Sequence, residues 1–305
     1  MYTSQETKSE KTLIFLIFEK KLMQKTSSLI NSAELSQAMR KENTVLIDAR
    51  SGPDVRQRYA KEHLLGAIFV NLEDELSQKT GSASNGGRHP LPTIEKFASF
   101  IGQKGIDPST HVIVYDDKNG ANAAARFWWM MKALGHEKIQ VLNGGMQAAI
   151  EAGIELSDQT PIPPTRPAYP ADEWKLSVVN AEQVAHAVTD PDQLVIDVRE
   201  GSRYRGESEP IDTVAGHIPG AVNVPYSQNL DADGRFLPAG QLADKYKEIF
   251  ADRDPGQVIV HCGSGVTACH TLLAIEEAGF AIPNLYVGSW SEWSGNDRPV
   301  ARGEE

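Results

Sequence analysis

The sequence predicts an α/β protein of two tandem domains, each a mainly parallel sheet flanked by helices. Its 305 residues suffice for two domains of ordinary size, and 40% hydrophobic with 23% charged residues is typical of folded proteins. From residue 29 onward, short apolar strands alternate with helical stretches, which is the pattern of parallel sheets. The same series of motifs also occurs twice along the chain.

The repeat consists of three pairs of matching segments in the same order. They are 45–50 with 194–199, 63–67 with 217–221, and 111–116 with 257–262. Three ordered matches indicate a duplicated unit. The second copy carries the thiol of Cys262 where the first carries the carboxylate of Asp116, and a carboxylate cannot perform the chemistry of a thiolate. We therefore predict that only the second copy is catalytic.

A proline-rich segment separates the two copies. Five of the 17 prolines lie between residues 161 and 170, which favours a stiff, extended linker. The predicted organisation is a non-catalytic domain over 29–155, a linker over 156–175 and a catalytic domain over 176–300.

The first 28 residues differ from the rest of the chain. Six apolar residues at 13–18 stand between polar and lysine-containing stretches. Six residues are too few to span a bilayer, and no small-residue cleavage site follows them. We predict a loosely ordered N-terminal extension over 1–28 and no membrane segment.

Charge and cysteine content limit the possible functions. A net charge of −11 and a pI of about 5.3 provide no general attraction to nucleic acid or to anionic membranes. An anionic substrate therefore needs a locally basic pocket. The two cysteines, Cys262 and Cys269, form neither a disulfide framework nor a zinc pattern. This favours a cytoplasmic enzyme with a reactive thiol and no metal or organic cofactor, with Cys269 as a buried small residue.

Cys262 ends a β-branched strand and precedes an uncharged loop and a helix. Backbone N–H groups converge at such a junction and stabilise a thiolate. Gly263 and Gly265 permit a positive φ where an anion-binding loop needs it, and the hydroxyls of Ser264 and Thr267 add donors. The alternative is a structural cysteine buried at the end of a strand.

A cysteine at this position also occurs in Cys-dependent phosphatases, whose signature places an arginine six residues after the cysteine. The sixth residue after Cys262 is Ala268. Without a guanidinium, a phosphoryl dianion lacks its bidentate partner, which argues against phosphatase chemistry.

The sequence Cys-Gly-Ser-Gly-Val-Thr at 262–267 resembles the active-site loop of the rhodanese-type sulfurtransferases, in particular their 3-mercaptopyruvate branch. Thiosulfate-using relatives carry cations inside this loop, whereas this loop has none. The resemblance implies two rhodanese-like domains and transfer of sulfane sulfur from 3-mercaptopyruvate, through a Cys262 persulfide, to a thiol or cyanide. The alternatives are a thiosulfate:cyanide sulfurtransferase and a non-enzymatic rhodanese-like binding module.

The resemblance also implies a set of site residues. The predicted catalytic residues are Cys262, Ser264 and His89. The predicted substrate-binding residues are Arg203, Gly263, Gly265, Val266 and Thr267. Glu73 stands where the family often has an aspartate that takes part in proton transfer.

One departure from the family pattern affects the sulfur donor. Mercaptopyruvate enzymes usually carry a second arginine shortly after the one matched by Arg203, but segment 206–215 contains no arginine. The donor should then be held less tightly, unless Arg205 or Arg88 of the first domain compensates.

Overall fold

The computed structural model describes residues 27–304. Residues 1–26, most of the predicted N-terminal extension, lie outside this part of the chain. Within 27–304, no helix combines the length and the apolar character needed to cross a bilayer.

The first domain contains seven strands and six helices within the described residues. In chain order they are β1 (Leu29–Ile30), α1 (Ser32–Ala38), β2 (Thr44–Arg50), α2 (Val55–Lys61), β3 (His63–Leu64), β4 (Ile68–Asn71), α3 (Leu72–Glu75), α4 (Ile94–Gln103), β5 (His111–Tyr115), α5 (Ala123–Ala133), β6 (Ile139–Leu142), α6 (Gly145–Glu151) and β7 (Leu156–Ser157). Five strands form a parallel sheet in the order β1-β6-β5-β2-β4, while β3 and β7 form a small antiparallel pair.

Besides two short 3₁₀-helices at Tyr226–Asn229 and Pro255–Gln257, the second domain contains five strands and five α-helices within the described residues. They are β8 (Val178–Val179), α7 (Ala181–Ala187), β9 (Leu194–Asp197), α8 (Gly201–Tyr204), β10 (Val222–Asn223), α9 (Ala239–Phe250), β11 (Val258–His261), α10 (Thr267–Glu277), β12 (Asn284–Tyr286) and α11 (Ser289–Trp293). The strands form a parallel sheet in the order β10-β9-β11-β12-β8. This order matches β4-β2-β5-β6-β1 of the first domain, so the predicted α/β fold of two tandem, mainly parallel sheets is confirmed.

The central strand of each sheet sets the position of the candidate site. Strands β5 and β11 are apolar and β-branched and are buried, since helices cover both faces of the sheets. Asp116 and Cys262 follow these two strands directly. The carboxyl ends of parallel strands are where such sheets bind ligands.

A buried ion pair beside the central strand occurs once in each domain. Arg199 contacts Asp197 at 2.6 Å and Arg50 contacts Asp48 at 2.7 Å, and all four side chains are at most 4% exposed. The guanidinium of Arg199 is therefore paired with a carboxylate of its own strand end.

The two domains share one hydrophobic core through α5 and α10, which follow the central strands and pack against each other. Residues 127–131 of α5 (Phe-Trp-Trp-Met-Met) are fully buried. This contact fixes the loop after β5 and the loop after β11 relative to one another.

The segment that joins the domains runs along α4. Residues 158–177 form neither helix nor strand, but backbone N–H groups of Arg166 and Tyr169 donate to the carbonyls of Gly102 and Ala98, both at 2.9 Å. A Cβ on Gly102 would lie 2.2 Å from the carbonyl oxygen of Pro167, so only glycine permits this approach. The extended segment is therefore attached to the first domain.

A buried histidine near the domain contact makes stability depend on pH. His270 in α10 stacks on Phe236 with ring centroids 4.3 Å apart, and burial lowers its pKa to about 3. The unfolded chain takes up this proton near the ordinary pKa of 6.5, so the contribution of His270 to stability is fully present above pH 6.5 and falls toward pH 3. From pH 7 to pH 5 the loss is about 2 kcal/mol.

We expect His270→Phe to remove this part of the acid sensitivity. The measurement is the free energy of unfolding in urea at pH 7 and pH 5, with the same substitution at exposed His186 as control. All variants share the other buried histidines. The difference between wild type and His270→Phe in the stability lost from pH 7 to pH 5 therefore reports on His270 alone. A His270→Phe protein that loses as much stability as the wild type over this interval contradicts the assignment.

Candidate active site

The loop after β11 holds Cys262 by its backbone. The carbonyl oxygen of Cys262 accepts the N–H of Trp290 at 3.0 Å, and that of Gly263 accepts the N–H of Ser291 at 2.9 Å. The N–H of Cys262 donates to the hydroxyl of Ser289 at 3.2 Å. Carbonyls of the loop are thus turned toward α11, and Cys262 is only 3% exposed.

The N–H groups of the loop behave differently from its carbonyls. Those from Gly263 to Thr267 have no hydrogen-bond acceptor among residues 27–304. Gly265 has a φ of +70°, and a Cβ there would lie 2.5 Å from the carbonyl oxygen of Val287. Buried donors without acceptors are costly, so this loop favours an anion beside Cys262.

The first domain shows what such a loop binds. The buried carboxylate of Asp116, which matches Cys262 in the repeat, accepts four backbone N–H groups of its own loop at 2.8 to 3.1 Å. The donors are Lys118, Gly120, Asn122 and Ala124. Burial raises the pKa of Asp116 and the four N–H donors oppose this effect, so the loop of the first domain surrounds a carboxyl group of the protein itself.

Three predicted residues from both domains form a hydrogen-bonded triad of Ser264, His89 and Glu73. His89 Nδ1 lies 2.7 Å from Ser264 Oγ, and His89 Nε2 lies 3.0 Å from Glu73 Oε1. Ser264 belongs to the loop beside Cys262, whereas His89 and Glu73 come from the first domain.

The protonation state of Glu73 determines which atoms of the triad donate and which accept. The hydrogen bond from His89 lowers the pKa of the Glu73 carboxyl, so Glu73 is a carboxylate that only accepts. His89 then carries its proton on Nε2, and Nδ1 accepts the hydroxyl proton of Ser264. This arrangement can withdraw a proton from Ser264 and return it.

Two guanidinium groups flank Gly263. A Cβ at this position would lie 3.1 Å from Arg88 Nη2 and 3.6 Å from both terminal nitrogens of Arg203. Gly263 does not adopt a positive φ. A side chain at this position would therefore contact both guanidinium groups.

Acidic side chains partly neutralise these two arginines. Arg203 contacts Glu209 at 2.7 Å and Asp212 at 3.5 Å, and Arg88 pairs with Asp212 as well. Arg205, the other residue considered as a replacement for the second arginine, pairs instead with Glu207 at 2.7 Å. Of the two possible replacements for the second arginine, Arg88 is the one that lies beside the loop of Cys262.

The remaining predicted residues contribute through the backbone. Val266 is 3% exposed and packs in the shared core, and Thr267 is the first residue of α10. Their side chains are not part of the hydrogen-bonded triad. What Val266 and Thr267 add to the loop is their backbone N–H groups.

Sequence reasoning missed two residues of the site. Ser289, which contacts the N–H of Cys262, is a fully buried non-glycine residue with a φ of +54°, and no sequence signal indicates it. Arg126 donates to the carbonyl of Gly265 at 3.0 Å. A charged residue inside the apolar run 123–131 was a usable signal for Arg126.

No group of three or more histidine, cysteine, aspartate or glutamate side chains in the described part of the chain is arranged to hold a metal ion.

A surface cavity of about 650 Å³ borders Ser84, Glu292 and Arg298 but none of the predicted site residues. This cavity is therefore separate from the loop of Cys262.

Comparisons with known proteins identify the family of the chain. The family model described as "Rhodanese-like domain" matches residues 31–152 and 180–296. The chain is similar to the "Probable 3-mercaptopyruvate sulfurtransferase" of Pseudomonas aeruginosa, with 37% identity over 92% of this chain and 99% of that protein. It is also similar to the thiosulfate sulfurtransferase of Gallus gallus, with 34% identity over 79% of this chain and 81% of that protein.

Among solved structures, the 3-mercaptopyruvate sulfurtransferase from Leishmania major matches with a TM-score of 0.76. The sequences are 30% identical, and the match covers 90% of this chain and 75% of that one. Both copies of the repeat are covered by the family model, and the two sheets have the same strand order. The chain therefore belongs to the rhodanese family and carries two rhodanese-like domains in tandem.

Proposed function

We propose that this protein is a sulfurtransferase that moves sulfane sulfur from 3-mercaptopyruvate, through a persulfide on Cys262, to a thiol or cyanide. The observation that carries the proposal is the loop around Cys262. Its N–H groups from Gly263 to Thr267 have no acceptor in the described part of the chain, and its Ser264 belongs to the triad. Relatives named as sulfurtransferases support the reaction class.

In the first step, the Cys262 thiolate attacks the thiol sulfur of the donor. An S–S bond forms, the C–S bond breaks, and its electron pair passes into the enolate of pyruvate. The enolate takes up one proton and the transferred thiol loses one, so pyruvate and a persulfide anion result. We assign the proton movement to Ser264 and His89, which lie within hydrogen-bond distance of each other. The acceptor then removes the outer sulfur and restores the thiolate.

The first domain supports Arg203 as the residue that binds the donor carboxylate. Tyr204 stacks on His217 as Tyr59 stacks on His63, so Arg203 matches Arg58 in the repeat. Arg58 pairs with the carboxylate of Asp117. Asp117 follows Asp116 as Gly263 follows Cys262. A carboxylate of the chain thus lies in the first domain where we place the donor carboxylate in the second.

Local charge favours mercaptopyruvate over thiosulfate. Arg88 and Arg203 carry two positive charges, and Glu209 and Asp212, both nearly buried, carry two negative charges. The thiosulfate dianion gains little from a cluster that is already neutral, whereas the monoanionic keto acid needs only one bidentate contact. Thiosulfate remains the second candidate, because a relative bears the name thiosulfate sulfurtransferase.

Initial rates with the two donors side by side test the donor. We expect a higher kcat/KM for 3-mercaptopyruvate, with a weak apparent affinity because acidic partners compete for Arg203. Arg203→Lys should lower kcat/KM roughly ten- to a hundredfold, since an ammonium cannot make the bidentate contact.

Arg205→Lys is the matched control, because Arg205 is two residues away and pairs with Glu207 outside the site. Its kcat/KM should remain at the wild-type value. A higher kcat/KM for thiosulfate, or equal effects of the two substitutions, would show that the donor site is wrongly assigned.

We place the enzyme in the cytoplasm, without metal or organic cofactor. The two cysteines are free and buried, and a reducing compartment keeps the thiol of Cys262 available for the reaction. The net charge of −11 provides no attraction to nucleic acid or anionic membrane, so small molecules are the proposed partners.

A further inference from the structure

Arg126 of α5 is a buried cation without a role in the reaction steps described above. Its side chain is fully buried, and within residues 27–304 it makes no ion pair with a carboxylate. Its Nε has no hydrogen-bond partner among these residues. Burying a cation without a counter-charge costs stability, so its presence in an apolar helix calls for a physical reason.

The guanidinium contacts all three segments that carry the triad. Arg126 Nη1 donates to the carbonyl of Gly265 at 3.0 Å, and Nη2 donates to the carbonyl of His89 at 3.0 Å and approaches that of Leu76 at 3.5 Å. Gly265 lies in the loop of Cys262, and Leu76 directly follows α3, the helix that carries Glu73. One rigid fork from the first domain therefore sets the spacing between the catalytic loop and His89.

Arg126 also lies close to Cys269, since both side chains donate to the carbonyl of Gly265. Burial lowers the pKa of Arg126, and interactions with Cys269 and Cys262 oppose this effect. The thiol of Cys269 donates to the same carbonyl of Gly265 at 3.4 Å, so the cation lies beneath the catalytic loop. A thiolate or persulfide at Cys262 supplies the negative charge that this buried cation lacks.

We propose that Arg126 is a positioning residue for the sulfur transfer, which holds the three segments of the triad together and favours the anionic form of Cys262. The inference rests on the proposed function, because it concerns the same thiolate. It adds a cation from the non-catalytic domain that does not touch the donor.

The test is the pH dependence of alkylation at Cys262 by iodoacetamide, located by peptide mass spectrometry. We expect Arg126→Met to move the pH midpoint of the rate upward by about one unit, a tenfold change in ionisation. Arg126→Lys keeps the charge and should keep the midpoint. It should nevertheless lower kcat with 3-mercaptopyruvate roughly tenfold, because a lysine cannot bridge the carbonyls.

Lys132→Met is the control in the same helix. The side chain of Lys132 is 10% exposed, and its amine pairs with Glu137 at 2.8 Å and Glu276 at 3.5 Å. Removing it also disrupts a largely buried cation, but the midpoint for Cys262 should not change. This comparison separates the charge near the loop from general loss of stability.

An unchanged midpoint in a folded Arg126→Met protein would overturn the proposal. Arg126→Gln, which keeps amide donors, is the second neutral variant. If neither neutral variant folds, Arg126→Lys decides, and a kcat equal to that of the wild type overturns the positioning role. Alkylation needs no sulfur donor, so it tests the Arg126 proposal independently of the proposed function. A wild-type protein that forms no persulfide would refute the proposed function, and the midpoint of alkylation would still test the role of Arg126.

Discussion

Replacing Cys262 with serine is expected to abolish sulfur transfer completely. A serine hydroxyl does not ionise near neutral pH and cannot carry sulfane sulfur, so no covalent intermediate forms. Intact mass spectrometry after mixing with donor alone should show the mass of one added sulfur on the wild type and none on Cys262→Ser. Digestion and peptide mass analysis should place the added sulfur on Cys262.

Cys269→Ser provides the matched control, because each of the two substitutions replaces one sulfur with one oxygen. Cys269 is fully buried, and burial raises the pKa of its thiol to about 12, so it remains protonated at neutral pH. The variant should still gain one sulfur. A Cys262→Ser protein that gains sulfur would mean that the nucleophile is wrongly assigned. A wild type that gains none would favour the non-enzymatic binding module.

The second large effect is expected at His89, and it should depend on the donor. His89→Asn removes the imidazole to which we assign proton exchange with Ser264, whose Oγ lies 2.7 Å from His89 Nδ1. Release of pyruvate from 3-mercaptopyruvate requires a proton, and general acid–base catalysis contributes roughly 10²- to 10⁴-fold. We expect kcat/KM for 3-mercaptopyruvate to fall by about 10²-fold or more.

Thiosulfate distinguishes this role from a structural one. Attack of the thiolate on its outer sulfur releases sulfite without any proton transfer, so persulfide formation from thiosulfate should be nearly unaffected in His89→Asn. His111→Asn is the control, since His111 lies at the start of β5 and contacts Gln140 at 2.8 Å, outside the site. Equal losses with both donors would mean that His89 serves the architecture of the loop and not the proton transfer.

The fold and the position of the nucleophile were predictable from sequence because both depend on local patterns. The alternation of apolar strands with helical stretches defines parallel α/β domains, and the repeat appears as matching segments in the same order. Cys262 follows a β-branched strand directly, so its place at the carboxyl end of the central strand needs no tertiary information. The ion pair of Arg199 with Asp197 is also local, since the two residues are neighbours along the strand end.

The surroundings of Cys262 were decided by the packing of the domains. Ser264 and His89 are 175 residues apart in sequence, and their contact depends on how α5 packs against α10. Sequence position alone left Arg88 and Arg205 as equal replacements for the missing arginine, and only the structure shows Arg88 beside Gly263. Hydrogen bonds require partners within a few tenths of an ångström, and hydrophobic periodicity contains no such information. The sequence by itself thus determined two α/β domains and the nucleophile, while the tertiary structure decided which side chains of the first domain reach it.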